Sequence, residues 1–248
     1  MHMHAPCPSL NMIQEEASEL CRLLGPPFHC RSLQYYGPNG IEQQIKSTPP
    51  STTILLLPLQ FLRDITLQAL IEQARRQLRG HKHRVIELPY KALQEAYIHT
   101  FAIELRKAII KVPKDTQYSI LLLLPPQPQS WRKTPEDILA VAQSLRQKLS
   151  KELSTSAQIR LSQPYGKPSV QDTLNELKHQ GSSAIICAGF GSLLSDGELK
   201  TYVKTVLQPY SAELGFQYFD YIDTPQYRTS YFRTARTCIY NEAKQLEF

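Results

Sequence analysis

The chain has 248 residues, an ordinary apolar content of 42% and a formal charge of +6. This length allows one large domain or two small ones, and in either case the chain is long enough to bury a hydrophobic core. No apolar run approaches the ~18 residues of a membrane-spanning helix, and the amino terminus has no signal-peptide core, so we expect a cytoplasmic protein without a transmembrane segment. Five widely spaced cysteines without a CxxC pair favour unpaired thiols. The mild positive charge suits an anionic ligand, an acidic partner or peripheral membrane contact, and selects none of them.

In the first part of the chain, predicted helices alternate with short strands. Apolar residues at helical spacing predict a helix over residues 11–24, which ends at Gly25-Pro26-Pro27. We further expect strands at 29–34, 54–57 and 84–88, and helices at 38–46, 62–78 and 93–110. The last helix has an apolar stripe at Ala96, Phe101, Leu105 and Ala108.

The second part repeats the alternation. The apolar run 119–124 lacks polar residues at every second position, which is typical of a central parallel strand. Thr134 followed by Pro135 and two acids predicts a helix start, with Thr134 as the N-cap. We also expect strands at 158–161, 185–187 and 217–222, and helices from 135 to 153, 170 to 179, near 197 and 226 to 242.

Two stretches about half a chain apart share one pattern of strand, turn and helix. The matched pairs, 129 or 130 residues apart, are Gly37 with Gly166, Pro58 with Ala188, and Tyr97 with Tyr227. A register held this long predicts an internal duplication, with α/β halves at 1–112 and 113–248. We expect two similar Rossmann-like halves with mostly parallel sheets and flanking helices. Because only ten residues without a strand pattern precede the first helix, the first half should lack its opening strand.

Three short motifs follow one another along these halves. They are Gln34-Tyr35-Tyr36-Gly37 with Ile41-Glu42, then Leu57-Pro58-Leu59, and finally Gly189-Phe190 with Ser195-Asp196 and Glu198-Leu199. Together they resemble the ferrochelatase family, the class II chelatases that insert iron into a porphyrin. The resemblance implies a porphyrin cleft between the two halves, with ferrous iron as the metal substrate. It implies no iron–sulfur cluster here, because Cys238 stands alone near the carboxyl terminus.

The same resemblance implies a catalytic histidine directly after strand 119–124, where this chain has Pro125. Proline has no side-chain lone pair, so Pro125 cannot act as the base that takes pyrrole protons. Because a positioned base contributes about 10²–10⁴-fold to a rate, we expect iron insertion to be weak or lost. Asp196 and Glu198 are the remaining catalytic candidates. The alternative for both is an acid stabilised near a helix N-terminus by about 0.3–1 kcal/mol.

Substrate contacts are expected from residues at predicted strand ends and loops. These candidates are Tyr36, Pro58, Pro125, Trp131 and Phe190. Aromatic rings stack on planar tetrapyrroles, but packing in the core or at its rim is the alternative for each ring. The basic run at 81–84 has no interleaved aromatic residues, so we expect a solvated helix end and no nucleic-acid partner.

Two other functions stay open on the sequence. One is a non-catalytic interaction protein that reuses the fold, with a homodimer covering the edge that the missing strand exposes. The other is a chelatase for a different tetrapyrrole, similar to the sirohydrochlorin chelatases. That resemblance implies histidines at strand ends, for which the candidates are His29, His99 and His179.

Overall fold

The structure is a computed structural model, and it describes residues 10–26, 28–31, 47–49, 52–57, 61–62, 72, 75–77, 84–124, 136–164, 166–192, 197–223 and 225–244. Its strands are β1 (Thr53–Leu56), β2 (Arg84–Glu87), β3 (Tyr118–Leu123), β4 (Gln158–Ser162), β5 (Ala184–Gly189) and β6 (Tyr218–Ile222). Its helices are α1 (Leu10–Leu24), α2 (Tyr90–Lys111), α3 (Glu136–Leu153), α4 (Val170–His179), α5 (Gly197–Tyr202), α6 (Gln208–Glu213) and α7 (Pro225–Lys244). A π-helical turn, Val203–Leu207, joins α5 to α6.

Strands form two parallel sheets. The larger sheet has the order β4-β3-β5-β6, and the smaller one pairs β1 with β2. Every strand pair in the described part of the chain is parallel, which confirms the predicted α/β class. The order places β3 and β5 in the centre of the larger sheet. Their unbroken apolar sequences follow from this position, because a central parallel strand is covered on both faces.

The side chains of β3 alternate between two cores, as the period of a strand requires. Ile120 and Leu122 belong to the larger core, which also takes buried side chains from α2, α3 and α7. Leu121 and Leu123 belong to the core formed with α4, α5 and the π-helical turn. Helices therefore cover both faces of the larger sheet, and each buried Leu or Ile contributes about 1.5–3 kcal/mol.

The helices before β3 pack directly on helices after it. α2 lies against α3 and α7, and its residues Leu93, Phe101 and Leu105 are fully buried in the larger core. α1 lies against α7, where Arg228 Nε contacts Glu19 Oε2 at 3.3 Å. The larger core thus contains residues from both predicted halves, and the division at residue 112 stays a prediction.

Most predicted elements that fall on described residues are found with shifted ends. Residues 29–31 of the predicted strand 29–34 are irregular, because they follow the turn after α1, and the rest of that strand lies outside the described residues. The predicted helix 38–46 also lies outside them. Of the predicted helix 62–78, residue 62 is irregular, and residues 72 and 75–77 are helical. Ahead of β1, residues 10–26, 28–31 and 47–49 contain α1 and no strand. Among the described helices, none has the length and apolar character needed to cross a membrane.

Candidate functional site

The chain segments that follow β1, β3 and β5 meet at one place. Phe190 N donates to Leu123 O at 2.8 Å, so the ends of β3 and β5 lie side by side. Phe61 N donates to Gly191 O at 2.7 Å, which joins the chain after β1 to the chain after β5. Ligands of open parallel sheets bind outside the carboxyl ends of the strands. This carboxyl edge, with the 189–192 turn at its centre, is therefore the candidate site.

Gly191 is required at this contact for two separate reasons. Its φ is +87°, a left-handed conformation that side chains with a Cβ disfavour. A Cβ built on Gly191 would also lie 2.3 Å from Leu62 Cγ. The absence of a side chain thus allows the two strand-end segments to touch through their backbones.

An aromatic block lies directly behind the 189–192 turn. It consists of Phe61, Tyr97, Phe101, Phe190 and Tyr227, each no more than 1% exposed. Phe61 stacks on Tyr97 with ring centroids 4.6 Å apart, and Phe101 meets Tyr227 edge-on at 5.0 Å. Such pairs contribute about 0.5–1.5 kcal/mol each beyond their buried area. The block forms a buried aromatic layer beneath the carboxyl edge.

Two tyrosine hydroxyls in the block bind the backbone of the turn. Gly191 N donates to Tyr97 Oη at 2.7 Å, and Tyr227 Oη donates to Gly189 O at 3.1 Å. Burial, and after it the charge of neighbouring Tyr227, raises the pKa of Tyr97 well above its usual value. Tyr97 is therefore a neutral phenol that holds backbone rather than an acid or base.

Solved structures with a similar fold cover nearly the whole chain, although no protein-family model and no curated protein sequence matches it. CbiX, the terminal enzyme of siroheme biosynthesis in denitrifying bacteria, aligns with 95% of this chain and 96% of its own, with a TM-score of 0.53 and 16% identity. The sirohydrochlorin chelatase SirB of Bacillus subtilis subspecies spizizenii, solved with cobalt, aligns with 95% of this chain and 93% of its own, with the same TM-score of 0.53 and 16% identity. This chain has a chelatase-type fold.

A third chelatase-like structure agrees with this assignment. A multidomain protein of Deinococcus radiodurans, described as similar to chelatases, aligns with 97% of this chain and 52% of its own, with a TM-score of 0.50 and 14% identity. The chelatase part of the sequence prediction is thus confirmed at the level of fold. The finer assignment to ferrochelatases stays a prediction, because the structures named here include sirohydrochlorin chelatases and identities near 16% show the fold alone.

Phe190 is the one predicted substrate residue that lies within the described part of the chain. Phe190 is 1% exposed and packs on Tyr97 and Phe101 in the aromatic block. Contact between Phe190 and a ligand would require these rings to separate. Glu198 lies in the first turn of α5, where its backbone but not its side chain is described. The remaining candidates lie outside the described residues, and their roles stay predictions: Tyr36, Pro58, Pro125, Trp131 and Asp196.

The described residues Leu124 and Ser192 precede two of these candidates in the sequence. Leu124 follows β3, is fully buried, and its N donates to Ser162 O at 2.9 Å. Ser192 ends the 189–192 turn, where its carbonyl lies 3.4 Å from Tyr227 Oη. Pro125 comes directly after Leu124, and Asp196 comes four residues after Ser192. The chain therefore enters both the segment with the predicted substrate contact Pro125 and the segment with the predicted catalytic Asp196 from the same edge of the sheet.

The three candidate histidines have different settings. His179 is in the last turn of α4, with Nδ1 2.7 Å from Asn175 O. His99, in the middle of α2, has Nδ1 2.9 Å from Glu152 Oε1 at the end of α3. His29 is exposed and follows α1. A helix that connects two parallel strands begins at the carboxyl edge and ends at the opposite edge, so His179 lies away from the candidate site.

Other titratable groups show the surroundings that the sequence analysis expected. The four described cysteines are free thiols, and burial followed by the neighbouring Cys21 raises the pKa of Cys30 to about 12. Glu72 Oε1 lies 3.4 Å from Arg76 Nε on an exposed helix face, whereas the predicted solvated helix end at 81–84 falls mostly outside the described residues and stays a prediction. Across the described ranges, no three His, Cys, Asp or Glu side chains group as a metal site.

Sequence reasoning did not select Tyr97 and Tyr227 as site residues. The signal was present, because they are one of the pairs matched 130 residues apart. The sequence could not show that both hydroxyls converge on the 189–192 turn, since this depends on how α2 and α7 pack against each other.

Proposed function

We propose that this protein binds a tetrapyrrole at the carboxyl edge of its sheets and that its metal insertion is weak or lost. The proposal is supported above all by the match to CbiX and SirB, which covers 95% of this chain and at least 93% of each of theirs. A match of this extent includes both proposed halves, between which a tetrapyrrole would lie. The ligand class is a planar tetrapyrrole with carboxylate side chains, and the net charge of +6 favours such an anion.

The described elements support two halves at 1–112 and 113–248 that derive from one duplicated unit. In the first, the parallel pair β1 and β2 is followed by the long helix α2. In the second, the parallel pair β5 and β6 is followed by the long helix α7. Tyr97 and Tyr227 then occupy matching helices and approach one turn from two sides.

Metal insertion requires two pyrrole N–H protons to leave the ring while the metal enters it. Pro125, at the position of the ferrochelatase histidine, offers no lone pair for either proton. Asp196 and Glu198 are the acids that follow the 189–192 turn in sequence, and we propose them as the remaining carriers of protons or of the metal. Ferrous iron is the proposed metal substrate.

The binding claim is tested by titrating the purified protein with sirohydrochlorin and, separately, with coproporphyrin III. A saturable shift of the Soret band at micromolar ligand is expected for at least one of them. No shift with either tetrapyrrole would overturn the proposed function.

The activity claim is tested by following insertion of Fe²⁺ and Co²⁺ into whichever tetrapyrrole binds. We expect little or no turnover, because one positioned base is worth about 10²–10⁴-fold. Slow turnover that disappears in Asp196→Ala or Glu198→Ala would assign the carrier. Fast insertion that neither substitution affects would contradict the proposed loss of activity.

Within the described residues one edge of β1 has no partner strand, which favours a second candidate function, a non-catalytic protein that acts as a homodimer. β5 pairs on both edges, with β3 and β6, whereas the matching strand β1 pairs with β2 alone within the described part of the chain. An unpaired strand edge is a template for another strand. Sedimentation velocity over a wide concentration range should then show a dimer, and a strict monomer would contradict this candidate.

A further inference from the structure

We infer that Tyr97 and Tyr227 act together as positioning residues that hold the 189–192 turn ready for a ligand. The ligand part of this inference rests on the proposed function, and the part about the turn rests on geometry alone. Neither hydroxyl faces solvent, since both residues are 0% exposed, so neither is a catalytic residue.

The two hydroxyls bind the turn at different backbone groups. Gly191 N donates to Tyr97 Oη at 2.7 Å, and Tyr227 Oη donates to Gly189 O at 3.1 Å. Ser192 O lies 3.4 Å from the same Tyr227 Oη. The pair thus holds the amide of Gly191 and the carbonyl of Gly189 from α2 and α7.

The other face of the same peptide is held by the segment after β1. Gly191 O accepts from Phe61 N at 2.7 Å and from Leu62 N at 3.3 Å. Gly191 is consequently bound through its N–H by α2 and through its C=O by the chain after β1. Removing one hydroxyl leaves a buried backbone group without its partner, and water cannot replace it in a site that is closed to solvent.

A matched control lies on the same helix as Tyr227. Tyr231 is also 0% exposed, and the centroid of its ring lies 5.7 Å from that of Phe61. Its hydroxyl has no hydrogen-bond partner in the part of the molecule that the structure describes. Tyr231→Phe therefore removes the same atom from the same core without removing a hydrogen bond.

The first test uses whichever of sirohydrochlorin and coproporphyrin III binds the wild type, and measures its affinity for the wild type and for Tyr97→Phe, Tyr227→Phe and Tyr231→Phe under conditions where all are folded. We expect the first two variants to bind about tenfold more weakly, which corresponds to about 1.4 kcal/mol. Tyr231→Phe should bind as the wild type does. Wild-type affinity in both Tyr97→Phe and Tyr227→Phe would overturn the inference.

The second test needs no ligand. Selective ¹⁵N labelling of the ten glycines gives a simple spectrum in which the Gly191 amide can be followed. We expect Tyr97→Phe to shift this resonance and to speed its hydrogen exchange, with Tyr231→Phe unchanged. An unaltered Gly191 amide in Tyr97→Phe would overturn the inference.

The two tests separate the inference from the proposed function. If the wild type binds no tetrapyrrole while the Gly191 amide responds as expected, the proposed function fails and the positioning of the turn stands. Should Tyr97→Phe not fold, Tyr227→Phe carries the same tests, because it removes the second hydroxyl that binds the turn. A response of the amide without any loss of affinity would mean a structural role only, and would contradict positioning for a ligand.

Discussion

Gly191→Ala is the substitution that most directly perturbs the contact between the two strand-end segments. The new Cβ would lie 2.3 Å from Leu62 Cγ, far inside van der Waals contact. The alanine would also have to adopt the backbone φ of +87° that Gly191 has. Gly197 provides the matched control, because a Cβ there has no neighbour within 4 Å and its φ is not in the left-handed range.

The expected cost can be added from these two effects. A left-handed conformation costs a residue with a Cβ about 1–2 kcal/mol, and forcing an extra methyl group into a packed core costs about 1–3 kcal/mol. Gly191→Ala should therefore lower the free energy of unfolding by about 2–5 kcal/mol. Gly197→Ala should leave it unchanged or raise it by up to about 1 kcal/mol, because alanine restricts the unfolded chain.

Urea denaturation followed by circular dichroism measures both variants. The double substitution Gly191→Ala with Leu62→Ala provides a further check, because shortening Leu62 removes the clash. The double variant should lose less stability than the two single losses predict, by about 0.5–3 kcal/mol. Equal stability of Gly191→Ala and Gly197→Ala, or full additivity with Leu62→Ala, would refute the reasoning.

Three further predictions concern the core and the packing of α1. Tyr231→Phe should preserve stability or raise it by up to about 1 kcal/mol, because it removes a buried hydroxyl that lacks a partner in the described structure; a clear loss in urea denaturation would contradict this. Burial raises the pKa of the Cys187 thiol, so folding disfavours the thiolate and stability falls as pH rises above about 8.5. In Cys187→Ala the free energy of unfolding should fall less steeply with pH, by about 1.4 kcal/mol per pH unit. Equal slopes for the variant and the wild type would show that Cys187 does not cause the fall. Glu19→Ala leaves Arg228 and Thr229 without their shared partner and should cost about 1–3 kcal/mol; Glu19→Gln keeps an oxygen acceptor and should cost less, and unchanged stability in Glu19→Ala would contradict the prediction.

Elements with strong local signals could be predicted closely from the sequence. Helix α4 begins and ends at the predicted residues, because the side chain of Ser169 accepts from Asp172 N at 3.1 Å as an N-cap. Strand β3 was recognisable because a central parallel strand has no polar alternation. In both cases the information lies within a few neighbouring residues.

Features that depend on packing between distant elements could not be predicted in this way. The apolar stripe predicted on α2 includes Phe101 and Leu105, but the helix also buries Tyr97 and Thr100. It does so because it packs on α3 and α7 at once, and periodicity along one helix does not reveal a second partner. The π-helical turn Val203–Leu207 likewise had no sequence signal.

The candidate site shows the same limit. The glycines around Phe190 correctly marked the strand end at which the candidate site lies. Stacking of Phe190 on a ligand remains a prediction, and the structure instead packs its ring within the aromatic block. The duplication signal drew attention to Tyr97 and Tyr227, yet their shared turn became visible only once α2 and α7 were placed together.

The measurement closest to the central claim is an equilibrium titration of the wild-type protein with sirohydrochlorin, read by absorbance and analysed for stoichiometry. The account predicts saturable binding of one tetrapyrrole per chain at micromolar concentration, weakened in Tyr97→Phe and preserved in Tyr231→Phe. The account would be contradicted if the absorbance spectrum remained that of free sirohydrochlorin at every protein concentration and coproporphyrin III gave the same result.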